Sequence, residues 1–169
     1  MEQLQVLLVS ENNEKSSVVK GALSLMDINR IRVVYDYNDA IALLKTHSVS
    51  MLIVEMAVPT SGITAVEFIQ MIRKDMEHFA HIQEIPIILL AGEASREDVE
   101  AARDSGATEF IVYPFSISHL KRVVKSVIDS PRKFIVSENF FGPDRRRKDE
   151  TPPWGASRRS TDGEEDNDE

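Results

Sequence analysis

Four apolar runs of this chain each end on residues whose side chains decide what chemistry it can do. The runs are Leu4–Val9, Met51–Val54, Ile85–Leu90 and Glu109–Val112. They lead into Ser10-Glu11, Glu55, Ala91-Gly92 and Tyr113-Pro114-Phe115. In open α/β sheets ligands bind beyond the carboxyl ends of parallel strands, so these residues are expected to share one crevice. Carboxylates in such a crevice suit a hard cation or a phosphoryl group. Phosphoryl transfer needs positioning and neutralisation of charge over three equatorial oxygens. Mg²⁺ needs near-octahedral oxygen ligation at short distance. Ala91 offers no hydroxyl to either.

Other chemistries find less support. The loop SENNEKS after the first run has no glycine, so it forms neither a dinucleotide fingerprint nor a P-loop. His47, His78, His81 and His119 are scattered, and no Ser-His-Asp or HExxH arrangement occurs. His78 and His81 are three residues apart, a weak metal pair with no carboxylate pattern beside it. No enzymatic activity is expected.

The elements that position these residues alternate strand and helix. Glu11-Asn12-Asn13 starts a helix with Val18, Val19, Ala22, Leu23 and Met26 at helical spacing. Ile31–Tyr35 reads as the second strand, and Asn38 or Asp39 as the cap of the next helix. Thr64 or Ala65 opens a third helix, with Val66, Ile69 and Ile72 inward. Ser95 starts a fourth, with Glu97-Asp98 in its first turn and Gly106 as its stop. Ser116 caps a fifth, whose inner face is Leu120, Val123, Val124, Val127 and Ile128, and Pro131 ends it. Five such units predict a parallel sheet covered on both faces, an α/β three-layer sandwich. Right-handed crossovers favour a flavodoxin-like (βα)5 fold with strand order 2-1-3-4-5.

The motifs VLLVSEN, LIVEMAVPTSG, IPIILLAG and GATEFIVYPF, in that order, resemble the receiver domain of two-component response regulators from Leu4 to Ile128. The resemblance implies an acidic pair for Mg²⁺, a phosphoacceptor aspartate, a Thr or Ser, and a Lys-Pro. Here those positions hold Ser10-Glu11, Glu55, Ala91 and Tyr113. Glu55 carries its oxygens one methylene further than aspartate, roughly 1.5 Å, and about 1 Å of misplacement can cost on the order of 100-fold in rate. Tyr113 is neutral near pH 7, its ordinary pKa being about 10, so no fixed cation is expected in the pocket. The resemblance thus implies a degenerate receiver without bound Mg²⁺ or other cofactor. Two readings of Glu55 stay open beside an inert one: a phosphoacceptor, or a standing mimic of the phosphorylated state. Phe110 occupies the aromatic switch position, where a packed core ring is the simpler reading.

The 169 residues carry a net charge of −8 and no cysteine. No apolar run approaches the roughly 20 residues of a membrane span, and a cytoplasmic, stand-alone bacterial signalling protein is expected. The division is a receiver-like domain over residues 1–129 and an extended, largely disordered tail over 130–169. The tail holds 8 Lys/Arg and 10 Asp/Glu, leaving −6 on the domain, which argues against nucleic-acid binding there. In the tail, Phe141-Gly142-Pro143-Asp144-Arg145-Arg146 is echoed by Trp154-Gly155-Ala156-Ser157-Arg158-Arg159. An aromatic beside forked guanidinium donors suits phosphate or carboxylate. Phe141, Arg145, Arg146, Arg147, Trp154, Arg158 and Arg159 are therefore candidates for an anionic partner, for RNA or a nucleotide, or for folding back onto the acidic body. On the fifth helix His119, Lys121, Arg122 and Lys125 form a candidate interaction face. The partners expected are a sensor kinase, a downstream effector or a second copy.

Overall fold

The computed structural model describes residues 4–145. Strands β1 (Gln5–Val9), β2 (Arg30–Val34), β3 (Met51–Glu55), β4 (Ile87–Ala91) and β5 (Glu109–Val112) form one sheet in the order β2-β1-β3-β4-β5, all neighbours parallel. β3 and β4 are buried at every residue, as unbroken apolar runs covered on both faces must be. The helices are α1 (Asn13–Ser24), α2 (Tyr37–Leu44), α3 (Ala65–Lys74), α4 (Met76–Phe79), α5 (Arg96–Ser105) and α6 (Ile117–Asp129). Alternate strand residues feed two cores. Leu7, Leu52, Val54 and Leu89 meet Phe68, Ile69 and Ala102 on one face; Leu8, Ile53 and Leu90 meet Val19, Leu120 and Val124 on the other. This is the flavodoxin-like order expected from the sequence.

Helix starts follow side-chain caps. Asn12 accepts from the Lys15 N–H, and Thr64–Glu67 and Ser95–Asp98 form reciprocal capping boxes. The second helix departs from expectation: its cap is Asp36, not Asn38 or Asp39. The Asp36 carboxylate accepts from the Asn38 N–H at 2.6 Å, and the earlier start turns Tyr37 into the core. Asp75 caps α4, a single turn that follows α3 directly. His78 pairs with Asp75 while His81 bonds the Leu44 carbonyl, so the two histidines do not converge.

A second difference lies past α6. Where the sequence suggests an extended tail from residue 130, β6 (Phe134–Ser137) and β7 (Phe140–Pro143) form an antiparallel hairpin packed on α3 and α5. The apolar run is too short and too closely flanked by charge to announce a strand. It is held by the Phe134–Phe141 ring contact at 5.6 Å and by burial of Gly142 and Pro143. Arg146, Arg147, Trp154, Arg158 and Arg159 lie outside the described residues.

The hairpin fixes one glycine. Gly106 caps α5 at φ +99°, and a Cβ there would lie 2.9 Å from both the Arg73 Cγ and the Phe141 carbonyl oxygen. Gly106→Ala is expected to cost about 1–3 kcal/mol in chemical denaturation.

Candidate functional site

The residues singled out from the sequence do meet at the carboxyl edge of the sheet, with Glu55 at the centre. Its side chain closes the fully buried strand β3 and is only 2% exposed. Both carboxylate oxygens are already bonded within the chain. Oε2 accepts the Glu11 N–H at 2.8 Å, and Oε1 accepts the Tyr113 O–H at 3.0 Å. The Tyr37 O–H donates to the Glu55 carbonyl at 2.5 Å and to that of Met56 at 3.1 Å. Tyr37 is held in place by stacking on Phe68, with ring centroids 5.1 Å apart.

The flanking positions are also committed. Ser10 is fully buried, and its hydroxyl donates to the Asn12 carbonyl at 3.1 Å. Ala91 is buried and offers only its carbonyl, which accepts the Tyr113 N–H at 2.7 Å. The Tyr113 ring packs against Phe115 at 4.7 Å. Burial first, and then the Glu55 charge, pushes both Tyr37 and Tyr113 well above the ordinary phenol range, with the hydrogen bond to Glu55 and the Glu11 charge adding to the rise at Tyr113. Both stay protonated donors at neutral pH.

The pocket does contain a cation: Lys15, one turn into α1, pairs with the Glu11 carboxylate and lies 5.7 Å from the Tyr113 ring centre. The hydrogen bond to Glu11 raises its pKa against partial desolvation, and the Glu55 charge adds to the rise. Tyr37 is the other functional neighbour that the sequence did not reveal.

Phe110 is half-buried and packs against the core beneath α3 and α5. On α6, Arg122 and Lys125 are exposed and His119 and Lys121 half-buried, while Lys125 pairs with Asp129 at 3.0 Å. Val112 and Ile117 add exposed apolar surface next to them. Of the tail candidates, Phe141 contacts Phe134 in the hairpin, and Arg145 pairs with Asp104.

With this geometry in view, the comparison with known families is decisive. The profile of the response regulator receiver domain matches residues 6–125. The chain belongs to the response regulator receiver family. Receiver relatives include chemotaxis protein CheY-3 of Vibrio cholerae, 23% identical over 126 residues covering 75% of this chain and 92% of that one. CheY of Pseudomonas aeruginosa is 21% identical, over 75% and 97% of the two chains. Among solved structures, the receiver domain of a sensor histidine kinase from Pseudomonas aeruginosa PAO1, with magnesium in its active-site cleft, superposes with a TM-score of 0.64 at 22% identity, over 75% of this chain and 98% of that one. The beryllofluoride-activated NtrC4 receiver dimer gives 0.64 at 19% identity, over 74% and 96%. The protein is therefore a receiver of two-component signalling with the CheY-like fold. Among the described residues no helix is long and apolar enough to cross a membrane.

The carboxylates of this pocket are already engaged within the chain. Among the described residues no group of three acidic or histidine side chains converges on a cation position. Glu11 is paired with Lys15, and Glu55 has a donor on each oxygen. A hard cation would have to displace an ammonium and two hydrogen bonds to gain two carboxylates.

Proposed function

We propose that this receiver is a pseudo-receiver: it serves two-component signalling by binding proteins, without phosphorylation at the aspartate position. The observation that carries this reading is the double engagement of the Glu55 carboxylate by the Glu11 N–H and the Tyr113 O–H. A phosphoacceptor needs a free oxygen in line with the incoming phosphorus and cations around it. Each Glu55 oxygen already accepts a hydrogen bond, and among the described residues the ammonium near it, that of Lys15, is held by Glu11.

The same bonds tie the end of β3 to the ends of β1 and β5. A switch needs a ligand with differential affinity for two states. Glu55 instead supplies a permanent internal bridge, which favours one standing conformation of the surface formed by α5, β5 and α6. That surface combines the exposed Val112 and Ile117 with Arg122 and Lys125, a pattern suited to an acidic, partly apolar protein face. A sensor kinase or downstream effector is the class of partner.

Acetyl phosphate with Mg²⁺, followed by intact-mass measurement, tests the reading. The expected spectrum is unchanged; a species heavier by one phosphoryl group, mapped to Glu55, would reject it.

A further inference from the structure

We infer that the outer edge of β2 is a docking edge for an extended segment of a partner protein in which acidic and apolar residues alternate. This edge is separated from β3 by β1, so what happens at Glu55 does not bear on it.

β2 has a single neighbour in the sheet. The Ser10 N–H bonds the Val34 carbonyl at 3.0 Å, which turns the backbone groups of Arg30, Arg32 and Val34 toward β1. Those of Ile31 and Val33 then point away from the sheet, and no backbone group among the described residues meets them. Their N–H and carbonyl groups are open to a sixth strand.

Side chains fix what that strand must carry. Arg32 is in register with Leu7, which packs with Tyr37, Leu44 and Phe68, so Arg30, Arg32 and Val34 share the face covered by α2. Val34 is packed there, but α2 is only eight residues long and ends at Leu44. Beyond it lies a groove of about 350 Å³ between Arg30 and Arg32 on one side and His47 and Ser48 on the other, with Leu43 and Val49 in its lining. Both arginines are exposed and make no ion pair among the described residues, whereas Glu109 on the opposite edge strand is paired with Arg132. On the other face Ile31 and Val33 are half-buried, and the exposed Tyr35 continues their line. An added strand sets its side chains directly across from these, about 5 Å away. Asp or Glu opposite Arg30 and Arg32, with Val or Ile opposite Ile31 and Val33, complements both faces.

Other occupants fit less well. A second copy pairing through the same edge would set arginine against arginine. A phosphate in the groove would meet the C-terminal end of α2, where the helix dipole is negative. The chain's net charge of −8 repels acidic segments in general, so one is held only where cations are left unpaired.

The probe is a fluorescent peptide of alternating glutamate and valine, titrated with the full-length protein and followed by anisotropy. Saturable binding is expected, weakened about tenfold or more by Arg30→Glu combined with Arg32→Glu. Arg30→Gln with Arg32→Gln is the milder pair with the same expected direction. A peptide of the same composition with its glutamates in one block should bind at least severalfold more weakly. Hydrogen exchange places the contact: the Ile31 and Val33 amides should exchange fast in the protein alone and become protected when the alternating peptide is added. The proposal fails if the blocked peptide binds equally, if both arginine pairs leave binding unchanged, or if those two amides gain no protection. It fails equally if they are protected before peptide is added. Protection in dilute protein would give the edge to another part of this chain, and protection that grows with protein concentration would give it to a second copy.

Discussion

Ser10→Asp, Glu55→Asp, Ala91→Thr and Tyr113→Lys, combined in one chain, are expected to take up a phosphoryl group far more readily than the parent. Each change removes one identified obstacle. Aspartate at 55 withdraws the carboxylate by about one C–C bond, roughly 1.5 Å, and breaks its fit to the Glu11 N–H. Lysine at 113 replaces a neutral phenol with a cation at the fifth-strand position, leaving Lys15 to its pairing with Glu11. Threonine at 91 supplies the hydroxyl missing from a buried alanine. Aspartate at 10 adds the acidic side chain needed to make three with Glu11 and residue 55. Misplacement of about 1 Å alone can account for on the order of 100-fold in rate, and residues acting as a unit are strongly non-additive. Single substitutions should therefore gain little and the combination much. Intact mass after acetyl phosphate and Mg²⁺ reads the gain. A Mg²⁺-dependent rise in melting temperature, absent from the parent, reads the metal. A folded quadruple variant that stayed unmodified would move the obstacle from these side chains to the loops carrying them.

How far the sequence reached depended on whether a residue's role is local. Continuous apolar runs such as IILLA of β4 and VLLV of β1 cannot be solvated on either side, so the parallel sheet and its covering helices were legible. So were the helix starts at Glu11–Asn13, at Thr64 or Ala65, at Ser95 and at Ser116, because a cap acts within three residues. The crevice residues followed from strand ends alone. Lys15 did not: at four residues from Glu11 it reads as an ordinary helix-surface pair. Only the direction in which α1 leaves β1 brings it to Tyr113. Arg73 was missed for a similar reason. An arginine in the last turn of α3 reads as a solvated cation favoured by the helix dipole, and it is buried because a hairpin 60-odd residues later (about that separation along the chain, too far for any local signal) folds over it.

Arg73 is where the fold has the most to lose. Arg73→Ala is expected to lower stability by about 2–4 kcal/mol and to release the hairpin. The side chain donates Nε–H to the Gly106 carbonyl at 3.0 Å and Nη1–H to the Gln83 carbonyl, and Gln83 returns a bond to the Arg73 carbonyl at 3.2 Å. Alanine strands two buried acceptors, opens a cavity beneath Phe134 and removes the cation from that ring. Against these losses stands the charge itself. Desolvation brings the Arg73 pKa down to about 9, so the guanidinium stays protonated at neutral pH while burial penalises it. A base whose folded pKa lies below its unfolded one weakens the fold throughout the neutral range, and the penalty lifts only as pH rises past about 9. Arg73→Met tests the balance, because it fills most of the space and removes the charge together with the bonds. Its loss should be smaller than that of alanine, as replacing a buried charge by a packed apolar chain often is. Urea denaturation gives both values, and hydrogen exchange at Phe134–Pro143 reports the hairpin separately. If alanine at 73 left stability within about 0.5 kcal/mol of the parent and the hairpin amides still protected, the clasp would have to be held by Gly106, Gly142 and the exposed Arg145–Asp104 pair alone.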